Sequence, residues 1–264
     1  MPLPPIEHIT YGPVRSRRLG ASLGVNLLPL GAKVCNMNCA YCQYGWTRGL
    51  TRYRGQGTGW PTAQAVENAI NDRLTRAADR NEIIDRLTVA GHGEPTLHPD
   101  FEDITARMCA VRDRIAPRLP IAILSNSTTA GWPEVRRGLA RYDERYMKLD
   151  AGDPITYARI NGAAGPASSV EKVIDALATL PPPITIQAMF VSDANGEIDN
   201  STEGAVEDWL RALECVRAER VHIYTLDRAP ALSSLRPVSA RRLREIAGHV
   251  RRAGMIAEVF AKKK

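Results

Sequence analysis

Aromatic residues are scarce in this chain: Phe, Trp and Tyr together make up 6 % of 264 residues, with three phenylalanines. That scarcity argues against a dedicated RNA-binding surface built on base stacking. No apolar run approaches the roughly 18 residues that a membrane-spanning helix requires, so a membrane partner is not expected. The opening Met1-Pro2-Leu3-Pro4-Pro5 lacks the charged stretch and apolar run of a secretory signal, and a cytoplasmic protein is expected. Five cysteines in that setting do not read as a disulfide framework. The most telling lack concerns charge. No acidic residue lies between Glu7 and Glu67, where Arg15, Arg17, Arg18, Lys33, Arg48, Arg52 and Arg54 stand. Without those seven cations, the 35 Lys+Arg fall one short of the 29 Asp+Glu, so the whole excess of +6 sits in the N-terminal quarter. Otherwise the composition, 44 % hydrophobic and 24 % charged, is that of an ordinary globular chain.

Beyond that basic segment, short β-rich runs alternate with helical patterns. Strands are predicted over 22–28, 86–90, 121–124, 145–150, 184–191 and 221–226, with a last short one over 256–260. Helices are predicted over 61–78, 100–115, 133–142, 168–180, 203–216 and 239–252. Six βα units in succession predict an α/β fold with a parallel sheet covered by helices, either open or a full or partial barrel. In either form ligands gather at the carboxyl ends of the strands. No clear linker is visible, so one domain is expected over 1–264. Its core would span about 22–226, with an N-terminal extension over 1–21 and a C-terminal helix and tail over 237–264.

Three of the cysteines crowd together as Cys35-Asn-Met-Asn-Cys39-Ala-Tyr-Cys42, in the loop after the first strand. Thiolates at that spacing can hold three corners of an iron–sulfur cluster or three positions on zinc. Structural zinc wants a fourth close Cys or His, and the next candidates are only at His92 and His98. Three ligands suit a [4Fe–4S] cluster with one open iron. Cys109 and Cys215 each stand alone in a helical pattern and read as core packing.

Cys-x3-Cys-x2-Cys with Tyr41 before the third cysteine resembles the signature of radical S-adenosylmethionine (SAM) enzymes. Gly91-His92-Gly93-Glu94-Pro95-Thr96 is similar to that family's Gly-Glu-Pro element. Ser125-Asn126-Ser127, Lys148-Leu149-Asp150, Gln187 and Tyr224-Thr225 follow at the ends of, or within, later strands. More narrowly, residues 11–20, 91–99 and 222–228 resemble an uncharacterised-type subgroup that is itself similar to the wybutosine-type tRNA-modifying enzymes. The resemblance implies a partial (β/α)6 TIM-like barrel and a [4Fe–4S] cluster on Cys35, Cys39 and Cys42. It also implies reductive cleavage of SAM, a radical that acts on substrate, and a flavodoxin- or ferredoxin-like electron donor.

Within that reading, Glu94 offers an acceptor for the SAM ammonium, and Gly93 and Pro95 let the backbone approach closely. Asn126 and Ser125 are candidates for the SAM ribose or carboxylate, with ordinary turn chemistry as the competing explanation. Lys148 and Asp150 are two apart and share a sheet face. A lysine there departs from the commoner serine, so it pairs with either a SAM carboxylate or substrate. Gln187 is polar in an apolar strand, and Tyr41 stands beside the cluster to stack on adenine. Substrate candidates are Arg15, Arg17, Arg18, Arg52, Arg54, His92, Tyr224 and Arg228. The arginines have two readings: compensation of cluster charge, or an anionic small-molecule or nucleotide substrate. Trp46, Tyr53 and Trp60 interleave with them, which leaves RNA open as a partner. Two alternatives stand beside the small-molecule enzyme: a tRNA-modifying enzyme, and an activating or maturation enzyme for a protein partner.

Overall fold

The computed structural model describes residues 2–163 and 168–261; the lysines at 262–264, read from sequence as a solvated tail, lie outside them. One sheet organises the chain. Its strands are β1 (Thr10–Ser16), β2 (Gly20–Val25), β3 (Arg86–Val89), β4 (Ile121–Ser125), β5 (Glu144–Lys148), β6 (Thr185–Asp193), β7 (Arg220–Thr225), β8 (Leu235–Pro237) and β9 (Ile256–Phe260). The order is β1-β2-β3-β4-β5-β6-β7-β9, with β8 paired to β6. Every pair from β2 to β9 along that path is parallel, while β1–β2 and β6–β8 are antiparallel. Helices α1 (Ala63–Asp79), α2 (Phe101–Ile115), α3 (Pro133–Leu139), α4 (Pro154–Asn161), α5 (Val170–Ala178), α6 (Glu203–Val216) and α7 (Ala240–Arg252) carry the crossovers. This is the expected α/β partial barrel.

The two-residue period of each strand divides its side chains between two environments. Leu23, Val25, Leu87, Val89, Ile121, Ile123, Met147, Ile186, Ala188, Val221 and Ile223 join the helix-packed core. The alternate residues face the barrel interior, where they are mostly polar or small. Register sets Met189 beside Tyr224 in one interior row and, below it, Lys148 beside Gln187 and Gln187 beside His222 in another. The floor beneath that row is Leu19, Ala122 and Tyr146, with Leu124 against them.

Several elements depart from the sequence reading, among them strand β8, which was not predicted. The segment over 1–21 is more than an appendage, because Thr10–Ser16 forms an edge strand on β2. Gly12-Pro13 and a register shift between Tyr11 and Val14 interrupt its alternation, and an edge is where a proline without N–H is tolerated. Its Tyr11 ring lies where any Cβ on Gly24 would be, 2.1 Å away, so only glycine fits there. Helix α4 was also unpredicted, although its start signal is present: Asp153 caps it through Ile155 N and Thr156 N, and Pro154 opens it. The predicted strand over 145–150 ends at Lys148, which leaves Asp150 past the ladder. Cys215 is exposed rather than packed in the core, while Cys109 is half-buried against it.

His222 ends the lower interior row, its ring 5.4 Å from Tyr146 and 5.0 Å from Phe260, with no partner on Nδ1 among the described residues. Burial pushes its pKa down to about 4; Arg18 and Arg220 add to this, and Glu258, 3.7 Å from Nε2, and Glu144 oppose it. A histidine kept neutral in the fold contributes fully above its unfolded value near 6.5. That contribution is lost as pH falls toward about 4. In urea unfolding of the metal-free protein, stability should therefore drop between pH 7.5 and 4.5, and His222→Gln should reduce the drop.

Candidate active site

The cysteine loop leaves the carboxyl end of β2 and is tied to its surroundings through the backbone. Asn38 N and Ala40 N donate to the carbonyls of Asn161 and Ile160 in α4, and Thr51 N closes the loop on Cys35 O. Glu94 N donates to Val34 O, which joins the Gly-Glu-Pro segment to the residue before the first cysteine. Gly93 is required at this junction, since a Cβ there would lie 1.7 Å from the Val34 carbonyl oxygen.

All three thiols of the loop face one cavity of about 260 Å³. Each sulfur is offered an N–H donor. Asn126 Nδ2 lies 3.8 Å from Cys35 Sγ, Asn161 Nδ2 3.5 Å from Cys39 Sγ, and Lys33 Nζ 3.2 Å from Cys42 Sγ. Burial pushes the Cys35 thiol well above the usual range and the Cys39 thiol up to about 11. These thiols stay protonated unless a metal displaces the proton. Among the described residues, no three His, Cys, Asp or Glu side chains converge as a single-ion site. Sulfurs ranged around a cavity, each with a donor, fit a multi-iron cluster better than a zinc ion.

Across the cavity, Glu94 is buried and accepts four hydrogen bonds, of which a single one reaches Oε2. Thr96 N, Thr96 Oγ1 and Ser125 Oγ donate to Oε1, and Asn126 N donates to Oε2 at 2.6 Å. Burial pushes its carboxyl pKa up while those donors hold it down, and burial wins. It also caps the short 3-10 turn Pro95–Leu97, so Pro95 sits behind the cavity wall. The Asn126 side chain donates to Asn36 Oδ1 and accepts from Thr128, so its amide serves the turn as well as the cavity rim.

The opposite wall is Lys148, Gln187 and Tyr224. Lys148 Nζ lies 2.6 Å from Tyr224 OH and 3.2 Å from Asp150 Oδ1, over the Tyr41 and Tyr224 rings. Burial alone works to discharge this ammonium, but Asp150, Tyr224 and Cys39 outweigh it and raise the Lys148 pKa. It is a fixed cation rather than a nucleophile. Asp150 itself is behind the wall, accepting from Lys148 and Met189 N on Oδ1 and from Tyr41 OH and Asn161 Nδ2 on Oδ2. Burial, then Asp150, keeps the Tyr41 hydroxyl protonated. Gln187 Oε1 accepts from Arg18, and Gln187 Nε2 is buried without a partner among the described residues.

The substrate candidates separate. Arg18 and Tyr224 border the cavity, with the Arg18 guanidinium 4.4 Å above the Tyr224 ring. Arg15, Arg17 and Arg228 line an adjoining groove. The others lie elsewhere. His92 is buried, its ring accepting from Ile6 N and meeting Pro29 O. Arg54 donates to Glu134 and to the carbonyls of His98 and Pro99, and Arg52 is exposed on the loop surface. Trp60 turns inward against His98, whereas Trp46 and Tyr53 stay exposed. Asn161, which touches Cys39, Tyr41 and Asp150, was missed because its helix was missed.

Comparison with known proteins identifies the family. The Radical SAM superfamily profile matches residues 31–197. A UPF0026 protein of Helicobacter pylori (strain J99) is 28 % identical over 237 residues, covering 85 % of this chain and 70 % of that protein. A UPF0026 protein of Methanocaldococcus jannaschii is 34 % identical over 58 % of this chain and 44 % of its own length, so the chain spans less than half of that relative. Among solved structures, TYW1 with a bound lysine-pyruvate adduct superposes with a TM-score of 0.61 at 13 % identity, over 88 % of this chain and 73 % of that one. At that identity the likeness is one of fold.

The Gly93–Val34 junction yields a direct test. Gly93→Ala should cut iron retained after anaerobic reconstitution by about tenfold, because the cysteine loop must shift to admit the methyl group. Gly49→Ala, in open space on the same loop, should leave it unchanged in the same iron assay.

Proposed function

Since the chain belongs to the Radical SAM superfamily, which implies a [4Fe–4S] cluster and SAM, we propose that Cys35, Cys39 and Cys42 hold the cluster and that the enzyme starts radical chemistry on an anionic small molecule or nucleotide. What supports this reading is one observation: three donor-supplied thiols share a cavity with Glu94, Ser125, Asn126, Lys148 and Gln187.

In this reading the cluster, when bound, supplies the electron that breaks a C–S bond of SAM. The chain's own residues bind and orient. Gly93 and Glu94 receive the SAM ammonium, for which a buried carboxyl with raised proton affinity becomes a strong ion partner once a cation arrives. Lys148 supplies the matching cation for the SAM carboxylate or for substrate, already held in place by Asp150 and Tyr224. Ser125, Asn126 and Gln187 contribute neutral hydrogen-bonding groups at the rim, and the unpartnered Gln187 Nε2 is the readiest donor. Tyr41, pinned through its hydroxyl to Asp150, lines the cavity with the Lys148 ammonium over its ring. Lys33 and Asn161 place N–H donors on the sulfurs, which favours electron uptake by the cluster.

Anaerobic reconstitution with iron and sulfide, followed by addition of SAM and dithionite, tests this. The unsubstituted protein should retain about four irons per chain and release a SAM-derived nucleoside. Cys39→Ala should lose both, and Cys109→Ala should keep both. SAM binding without reductive cleavage, with Cys39→Ala indistinguishable from the parent, would contradict the proposal.

A further inference from the structure

The sheet is open between β1 and the β7–β9 edge, and a groove of about 470 Å³ runs along that opening. Residues 14–18 form one bank and residues 224–228 with Phe260 the other. Arg18, Tyr41, Gln43, Met189 and Tyr224 line both this groove and the cysteine cavity, so the two spaces adjoin across these side chains. The volume suits a small metabolite or a single nucleotide.

Four arginines line the groove against one carboxylate. Their duties differ. Arg17 is a strut across the opening: it pairs with Asp227 at 3.0 Å and donates to Ala261 O at 2.8 Å, which uses the groove's acidic group. Arg18 lies over Tyr224 at the neck and donates to Gln187. Arg228 is exposed and spends one N–H on Gln43 Oε1 at 2.9 Å. The Arg15 side chain is exposed and has no ion-pair or hydrogen-bond partner among the described residues.

We infer that this lateral groove anchors the phosphate of a small phosphorylated substrate, through Arg15 and Arg228, while the substrate's carbon frame reaches past Arg18 and Tyr224 toward the cysteine cavity. The inference rests on the radical SAM reading for the chemistry at the far end, though not for the anion site. Two guanidinium forks with free N–H groups, in a groove with three uncompensated cations, match a dianionic group better than a single carboxylate. A small molecule is favoured over RNA because the exposed aromatics of the basic segment, Trp46 and Tyr53, are not among the lining residues.

Calorimetric titration of the reconstituted, SAM-loaded protein with inorganic pyrophosphate tests this, with succinate as the dicarboxylate control. Pyrophosphate should bind more tightly than succinate. Arg15→Gln and Arg228→Gln should each weaken it roughly 10-fold. Arg48→Gln removes the same charge from an exposed position off the groove, and should leave pyrophosphate affinity as it was. The inference is overturned if pyrophosphate does not bind, if succinate binds as well, or if the groove variants bind it like the parent. It is also overturned if Arg48→Gln weakens it equally, since the field would then be diffuse. A tRNA that binds through Arg15 and Arg228 while pyrophosphate does not would replace it with an RNA site. Reductive SAM cleavage by the unsubstituted protein separates the two levels. Cleavage without arginine-dependent binding defeats only the groove, and arginine-dependent binding without cleavage defeats only the radical reading.

Discussion

The Lys148–Asp150 pair at the end of β5 is the constraint around which the cavity is arranged. Asp150 is 1 % exposed and Lys148 18 %, so the carboxylate is cut off from water and requires partners, while the ammonium is part-buried at the cavity wall. Asp150 receives four donors, and they come from four places: β5 through Lys148, β6 through Met189 N, the cysteine loop through Tyr41, and α4 through Asn161. A single buried carboxylate thus fixes the cysteine loop against the barrel. Deleting one partner of a buried pair of this kind typically costs about 3–5 kcal/mol. The placement of Cys39 beside Asn161 follows from the same network, because Asn161 Nδ2 serves Asp150, Tyr41 and the sulfur together.

A second junction complements the first. Glu94 N bonds to Val34 O, and the Glu94 side chain gathers donors from Thr96, Ser125 and Asn126. The cysteine loop is therefore held on one flank by the segment after β3 and on the other by the residues after β5. Thiols, a buried carboxyl and a fixed ammonium face each other across a space that neither flank alone would define. The basic segment divides its labour around this space. Lys33 reaches Cys42, Arg54 braces the turn at His98 and Pro99, and Arg17 bridges the barrel's open side. Charge compensation thus has its candidate in Lys33, whereas Arg54 and Arg17 are taken up by structural contacts.

Much of this was legible in the sequence because periodicity and order carry the barrel. The alternation of His222 and Tyr224 in β7 and the i, i+3, i+4 stripe of α7 are strong local signals, and the bounds of α6 and β9 match the prediction. The three cysteines stood out by their spacing, and the other candidate site residues by the resemblance to the radical SAM family. What escaped had weaker or broken signals. Strand β1 is interrupted by Gly12-Pro13 and a register shift, so its alternation could not be read. Helix α4 is two turns long with a modest apolar face, and only its Asp-Pro start announced it. With it went Asn161. The fates of His92 and Arg54 depend on contacts with Pro29, His98 and Glu134, which are distant in sequence and carry no local signature.

The central claim is that three thiolates hold a [4Fe–4S] cluster whose remaining iron is open to SAM. Electron paramagnetic resonance of the anaerobically reconstituted, dithionite-reduced protein addresses it most directly. The account predicts the signal of a reduced [4Fe–4S] cluster whose g values change when SAM is added, because a ligand reaches the open iron. A cluster signal that SAM leaves unchanged, or a protein that takes up zinc and gives no cluster signal, would contradict it.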